Sequence, residues 1–203
     1  MMSKNTKIKG ITAKDGSTKA RIERAALMLF AERGVDAVTT REIAAACEIS
    51  EGALYRHFPG KEALAQTLFL AIHTKLSKAV QRAGAQHDDI EAQAKAVVHT
   101  YCQIADDDWA LFAYHLITTH RFLPSPDRPE MNKKDSPVTA IEAMIAKAMQ
   151  RGELPDGNVA LRTSMALGVV LQTALHRFYG GVDGKLSAHQ DALTRSVIAV
   201  LKA

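Results

Sequence analysis

The sequence predicts an all-α protein of about nine helices: an N-terminal three-helix domain that carries a helix-turn-helix, followed by a C-terminal helical domain. Three observations lead there. Apolar residues recur at helical spacing along most of the chain, beginning with Ile22, Ala26, Leu29 and Phe30 at i, i+4, i+7 and i+8. Aromatic residues are only 5% of the 203 while Ala, Leu and Ile abound, a balance that favours helix on helix over a β-sandwich. No stretch reads convincingly as a strand, and no internal repeat is present.

The first helix spans about 18 to 33 and ends at Gly34, a residue suited to the left-handed C-terminal position. Thr39-Thr40-Arg41-Glu42 forms a capping box that opens a second helix over 40 to 46. Glu48-Ile49-Ser50 is a short turn whose serine caps a third helix through Phe58, and Pro59-Gly60 stops it. A long helix follows from Lys61 to about Ala83, with Leu64, Leu68, Ile72, Leu76 and Val80 on one face. Two helices, from Ile90 to about Ala105 and from Trp109 to about Phe122, are separated by Asp106-Asp107-Asp108, whose carboxylates suit the second N-terminus. Pro124, Pro126 and Pro129 impose a loop, and Ser136-Pro137 restarts a helix that ends near Arg151-Gly152. The segment from Val159 to Tyr179 is apolar around most of its circumference, and Gly180-Gly181 ends it. Ser187 with Gln190 offers a capping box for the last helix, where Leu193, Val197, Val200 and Leu201 form one stripe.

Composition narrows the function classes. With 47% apolar and 24% charged residues and a mean hydropathy of −0.10, neither a disordered nor a membrane-embedded chain fits. Cys47 and Cys102 are too few for a disulfide framework or a four-cysteine zinc site, and no secretory leader is visible, which predicts a cytoplasmic protein. All of the net charge of +4 lies in residues 1–61, which hold 11 Lys/Arg against 7 Asp/Glu. Residues 1–17, with Lys4, Lys7, Lys9 and Lys14, read as a flexible basic arm, either a solvated tail or a phosphate-binding one.

The functional signal lies between Thr39 and Phe58. Two short helices joined by a tight turn, held by Ile43, Ala44, Ile49, Leu54 and Phe58, make a helix-turn-helix, and the second presents Glu51, Gly52, Ala53, Tyr55, Arg56 and His57 outward. Small residues permit close approach to a major groove, arginine can pair with guanine in a bidentate way, and hydroxyls hold phosphates. Read as a whole, Ala26-Leu-Met-Leu-Phe-Ala-Glu-Arg-Gly34, Thr39-Thr-Arg-Glu-Ile-Ala-Ala45, Ile49-Ser-Glu-Gly-Ala-Leu-Tyr-Arg-His-Phe58 and Lys61-Glu-Ala-Leu64 resemble the DNA-binding domain of the TetR family of repressors. The resemblance covers roughly residues 18 to 66. It departs from the family pattern at Gly60, where a polar cap is usual.

That resemblance implies a DNA-binding domain at 18–62, a ligand-binding and dimerisation domain at 63–203, a palindromic double-stranded operator, a homodimer and a small-molecule effector. Carried over position by position, Thr40, Tyr55, His57 and Lys61 are expected at phosphates, and Arg41, Glu51, Gly52, Ala53 and Arg56 at base edges. Tyr55 also reads as a half-buried core aromatic, and Arg56 as a phosphate or solvent residue. For the effector pocket, the regulatory half offers Tyr101, Cys102, Trp109, Phe112, His115, Met144, Met149, Met165 and His176, large or polarisable side chains that favour an apolar or aromatic compound. Each of these taken singly also reads as core. The nearly all-apolar penultimate helix and the stripe on the last one predict a dimer interface at Leu171, Leu175, Phe178, Leu193, Val197 and Leu201.

No phosphate loop, H-E-x-x-H pair or G-x-S-x-G elbow is present, so no catalytic residue, metal or cofactor is expected, and His87-Asp88-Asp89 reads as a polar loop rather than a metal site. The expected function is a ligand-responsive repressor without enzymatic activity. Its rivals are an activator or nucleoid-type factor of the same fold lacking an effector, and, from another class, a helical enzyme or lipid carrier.

Overall fold

In a computed structural model of the chain, residues 9–122 and 136–203 are described. Among them the order is α1 (Thr18–Arg33), α2 (Thr40–Ala46), α3 (Glu51–Tyr55), α4 (Lys61–Gly84), α5 (Ile90–Asp107), α6 (Trp109–Phe122), α7 (Pro137–Gln150), α8 (Val159–Phe178), a short 3-10 turn (Leu186–His189) and α9 (Gln190–Lys202). The described residues form nine α-helices and no strand, as expected. None of these helices is long and apolar enough to cross a membrane. The proline-rich loop, Lys4 and Lys7 lie outside the described residues.

Side-chain caps start most of the helices. Ser17, Thr39, Ser50, Asp89, Ser136 and Asn158 each accept a backbone N–H of the first turn that would otherwise lack a partner. The last helix differs from expectation. Ser187 forms no capping box; the backbone N–H groups of Leu186 and Ser187 donate to Asp106 instead, at 3.0 and 3.2 Å, and a 3-10 turn leads into α9.

Packing gathers the helices around two cores. One joins Ile22, Phe30, Ile43, Leu54 and Phe58 to the inner face of α4 as far as Leu76, and takes Leu111 and Tyr114 from α6. The other is built from the end of α4 and from α5, α7, α8 and α9. The head-side core therefore runs well past residue 62, with the Tyr114 hydroxyl donating to the carbonyl of Ala65 at 2.7 Å. A long helix that contributes to both cores is covered on most sides, which is why its apolar stripe is continuous.

Residues 9–17 are not the free arm expected. Glu23 is fully buried, and its carboxylate accepts the backbone N–H groups of Ile11, Thr12 and Ala13 at 2.7, 3.0 and 3.3 Å and the Thr12 hydroxyl. A buried carboxylate is costly without donors, and this run of backbone amides supplies them. Arg24 then bonds Asp108 at 2.5 Å, fastening α1 to the junction of α5 and α6.

Candidate nucleic-acid interface and regulatory cavity

The helix-turn-helix is held by local bonds that the sequence dictates. The Thr39 hydroxyl accepts from the N–H of Glu42 at 3.2 Å, and Glu42 accepts from the N–H of Thr39 at 2.8 Å, a complete capping box. The Thr39 hydroxyl also donates to the Glu42 carboxylate at 2.7 Å and Arg33 joins it at 2.8 Å, and these donors hold the Glu42 carboxyl down at about 2. At the other end of α2, Glu48 N–H donates to Ala45 and Ile49 N–H to Ala44, at 3.0 and 3.1 Å, closing a Schellman turn. Its left-handed position, with φ of 56°, is taken by Glu48 rather than glycine. The corresponding turns after α7 and α8 place Gly152 and Gly180 there, at 73° and 78°.

Most of the side chains expected on DNA are on the surface. Arg41, Glu51, Gly52, Arg56 and His57 are exposed, Tyr55 is 49% exposed, and Thr40 and Ala53 are half-buried. A Cβ added at Gly52 would meet nothing, so the start of α3 is open to close approach. The third helix is shorter than expected: α3 ends at Tyr55, and Arg56 and His57 occupy the turn after it, where the N–H groups of His57 and Phe58 both reach Leu54 O. The Thr40 hydroxyl donates to Glu51 and lies 3.4 Å from the Tyr55 hydroxyl. Glu51, expected at a base edge, thus ties α2 to α3.

Lys61 departs most from its expected role. Gly60 provides no side-chain cap, and a lysine at the first position of α4 sits against the helix dipole. Its Nζ donates to the carbonyls of Val35, Asp36 and Val38 at 3.0, 3.0 and 2.9 Å. An ammonium has three hydrogens, and all are committed to the loop before α2, leaving none for a phosphate. Arg121, at the end of α6, braces the same place by bonding Asp36 at 2.8 Å and Glu62 at 2.9 Å. Sequence reasoning missed Arg121 because its partners lie 85 and 59 residues away and no local pattern marks them.

In the C-terminal half an apolar cavity of about 50 Å³ lies between α5, α7, α8 and α9. Of the expected pocket residues, Tyr101 and Met144 line it. The others are elsewhere. Cys102 is fully buried in the surrounding core, and Met149 packs partly buried against it. Trp109 stacks on Phe112 at 6.0 Å and carries the Arg177 guanidinium 3.8 Å above its ring. Between α4 and α6, His115 bonds His73, with 3.0 Å between the ring nitrogens, and stacks on Phe69. Burial, and then the neighbouring His73, lower the His115 pKa to about 3, and burial lowers that of His73 as well. Met165 is 47% exposed, and His176 lies exposed against Gly181. The actual walls are aliphatic, with Val97, Val98, Ile141, Ile145 and Val170 doing most of the enclosing. Their helical spacing marks them as core, and nothing local separates a cavity wall from ordinary packing.

Comparison with known proteins identifies the N-terminal domain. Residues 22–68 match the family model described as bacterial regulatory proteins, tetR family. That segment is the DNA-binding domain of a TetR-family regulator. The chain is 32% identical over 78 residues to the nucleoid occlusion factor SlmA of Haemophilus ducreyi, an alignment spanning 38% of it and 39% of that protein. Against SlmA of Klebsiella pneumoniae it is 26% identical over 146 residues, 72% of each. Two solved structures are similar at 18% identity. The fatty acid degradation regulator FadR of Bacillus halodurans has a TM-score of 0.74, covering 91% of this chain and 96% of that one. FadR of Bacillus subtilis, solved in complex with stearoyl-CoA, has a TM-score of 0.68, covering 89% and 97%.

Most of the residues expected at a dimer interface face inward in this subunit. Leu193, Val197 and Leu201 are 5%, 6% and 4% exposed, because the stripe on α9 faces its own subunit's core. Leu171 also turns inward onto the cavity, and Leu175 and Phe178 are half-buried. The apolar residues left outside are Leu161, Met165 and Tyr179, at 59%, 47% and 72%. With exposed Gly168 and Gln172 they run along one face of α8.

Proposed function

We propose that this DNA-binding TetR-family regulator is a ligand-responsive repressor that binds a palindromic operator as a homodimer and is released by a small-molecule effector. The observation that carries the reading is the reach of α4. Its first residue, Lys61, holds the loop that leads into the helix-turn-helix, and its last, Gly84, lies beneath Met144 on the cavity wall. One helix connects the two regions, so a change at the cavity is transmitted to the DNA face.

In this reading residues 18–62 engage DNA and residues 63–203 bind ligand and dimerise. Tyr55 and His57 hold phosphates, with Thr40 reaching one when its hydroxyl leaves Glu51, while Arg41 and Arg56 read base edges and Gly52 and Ala53 allow close approach. Two-fold pairing through the outer face of α8 covers Leu161, Met165 and Tyr179. Paired recognition helices meet matching major-groove faces only about every 34–36 Å, so a small swing of α4 spoils simultaneous engagement. The aliphatic walls favour an effector with a saturated apolar part.

A second reading, a nucleoid-type factor without effector, draws on the similarity to SlmA. A mobility-shift assay on DNA from the chain's own upstream region separates the two. A shift abolished by a small molecule that co-purifies with the protein supports the repressor. A shift that such molecules leave unchanged supports the second reading, and no shift at low salt defeats both.

A further inference from the structure

The cavity of about 50 Å³ has room for little more than one or two waters, whereas effector sites measure roughly 300–1,000 Å³. Beside it lies an open cleft of about 560 Å³ between the C-terminal turn of α4, the start of α5 and α7. One side chain lines both spaces, that of Met144. Its thioether rests on Gly84, where a Cβ would overlap it, 2.6 Å from Sδ. An unbranched side chain with three rotatable bonds, laid on a residue without a side chain, moves aside at little cost.

The two compartments differ in chemistry. Inside, the walls are hydrocarbon apart from Tyr101 and the Met144 thioether. At the mouth, the described lining residues include one cation, Lys147, exposed and without an ion pair among the described residues, and no carboxylate. Gln93 also lines the cleft; its amide nitrogen donates to the carbonyls of Gly84 and His87 at 3.2 and 2.9 Å, while its buried Oε1 has no partner among the described residues. A polar mouth that lacks acids and opens on a dry interior suits a two-part ligand.

We infer that Met144 is a gate between the cleft and the cavity, admitting an amphiphile whose aliphatic chain enters between α5, α7 and α8 while its anionic head stays at the mouth beside Lys147. The inference rests on the reading of the cavity as the effector site and specifies how that site is entered. Entry turns Met144 off Gly84 and enlarges the cavity by separating α7 from the end of α4, which is the end of the helix that carries the DNA face.

Decanoate and 1-decanol, titrated into the full chain by calorimetry and stopped flow, test it. The expected result is saturable binding of decanoate roughly tenfold tighter than of the alcohol, a charge contribution of about 1.4 kcal/mol. Lys147→Gln removes that difference by weakening decanoate alone. Met144→Ala accelerates association of both probes, and so does Gly84→Ala, whose methyl group displaces the thioether. Val170→Trp, or the milder Ala166→Val if the tryptophan variant does not melt cooperatively, fills the cavity and abolishes binding. Retained binding in a folded cavity-filled variant overturns both the cavity reading and the gate. Loss of binding there, with Met144→Ala, Gly84→Ala and Lys147→Gln all matching the wild type, overturns the gate alone. Failure of the wild type to bind either probe overturns the ligand class.

Discussion

The two ends of α4 are built on opposite terms. At its N-terminus the chain is fastened by short polar contacts: Lys61 on three carbonyls, Arg121 between Asp36 and Glu62, Thr39 with Glu42. At its C-terminus the neighbours are aliphatic, a flexible methionine lies on Gly84, and the packing leaves a void. Polar bonds have narrow distance and angle requirements, so the first end has one geometry. Apolar contact is non-directional, so the second end tolerates several. The proposed function, a fixed surface for DNA and an adaptable one for a ligand, is served by that division.

The largest effect that would sharpen the contrast is expected where an inward and an outward position of α9 and α8 are compared. Val197→Arg buries an unpaired charge in the C-terminal core and should cost about 3 kcal/mol or more, seen as a lost or broadened thermal transition. Met165→Arg, on the exposed face of α8, should leave each subunit's fold intact and yield monomers by light scattering. A monodisperse, fully stable dimer of Val197→Arg would show that α9 has been placed wrongly.

At the DNA end, Lys61→Met strands three carbonyls and should lower stability by about 1–3 kcal/mol, with operator affinity falling and its salt slope unchanged. Arg56→Ala should leave the melting temperature alone and cost about 1–3 kcal/mol of binding, concentrated at one operator position. If instead Lys61→Met melts like the wild type and lowers the salt slope by about one per half-site, the lysine is a phosphate ligand.

The histidine pair gives an intermediate effect. Both imidazoles are held neutral in the folded chain, His115 with a pKa of about 3, while the unfolded chain binds protons near 6.5. Their contribution is therefore complete above that value and is lost as pH falls through 6.5 towards 3. The slope is at most about 1.4 kcal/mol per pH unit for each ring. Denaturation midpoints measured between pH 7.5 and 5 should fall accordingly, and His115→Phe should flatten the curve.

The smallest effect concerns the three Schellman turns. Glu48→Gly should stabilise the helix-turn-helix by about 0.5–1 kcal/mol, because it relieves a left-handed non-glycine residue. Gly152→Ala and Gly180→Ala should each cost about 1 kcal/mol by creating that situation. Equal and negligible shifts at all three positions would mean that these turns carry no strain.

The same asymmetry explains what could be read from the residues alone. Helix starts were legible because caps are local: Thr39 with Glu42, Ser50 and Ser136 act within three residues of themselves. So was the exposed α3 face, since small and polar residues interrupt the apolar pattern there. Lys61, Glu23 and Arg121 were misread or missed because their partners are distant in sequence or are backbone atoms, which no side-chain pattern reveals. The cavity was harder still. Tyr101 and Met144 were anticipated, but size and polarisability also selected Trp109 and His115, which pack against other rings, and overlooked the valines and isoleucines that form the walls. For α9 the apolar stripe was correctly seen, but Leu193, Val197 and Leu201 are taken up by the subunit's own core.

The two cysteines fall one in each core, Cys47 beneath the helix-turn-helix and Cys102 on α5. Burial raises the pKa of both thiols, that of Cys102 to about 11, so neither reacts with an alkylating reagent while its surroundings stay closed. Each is therefore a clock for the opening of its own half. Timed labelling followed by mass measurement would record two independent rates from one unmodified chain, with operator DNA slowing the first and a cavity ligand the second. Any cross-effect, a ligand changing the rate at Cys47 or DNA the rate at Cys102, would report communication along α4 directly, without an engineered probe.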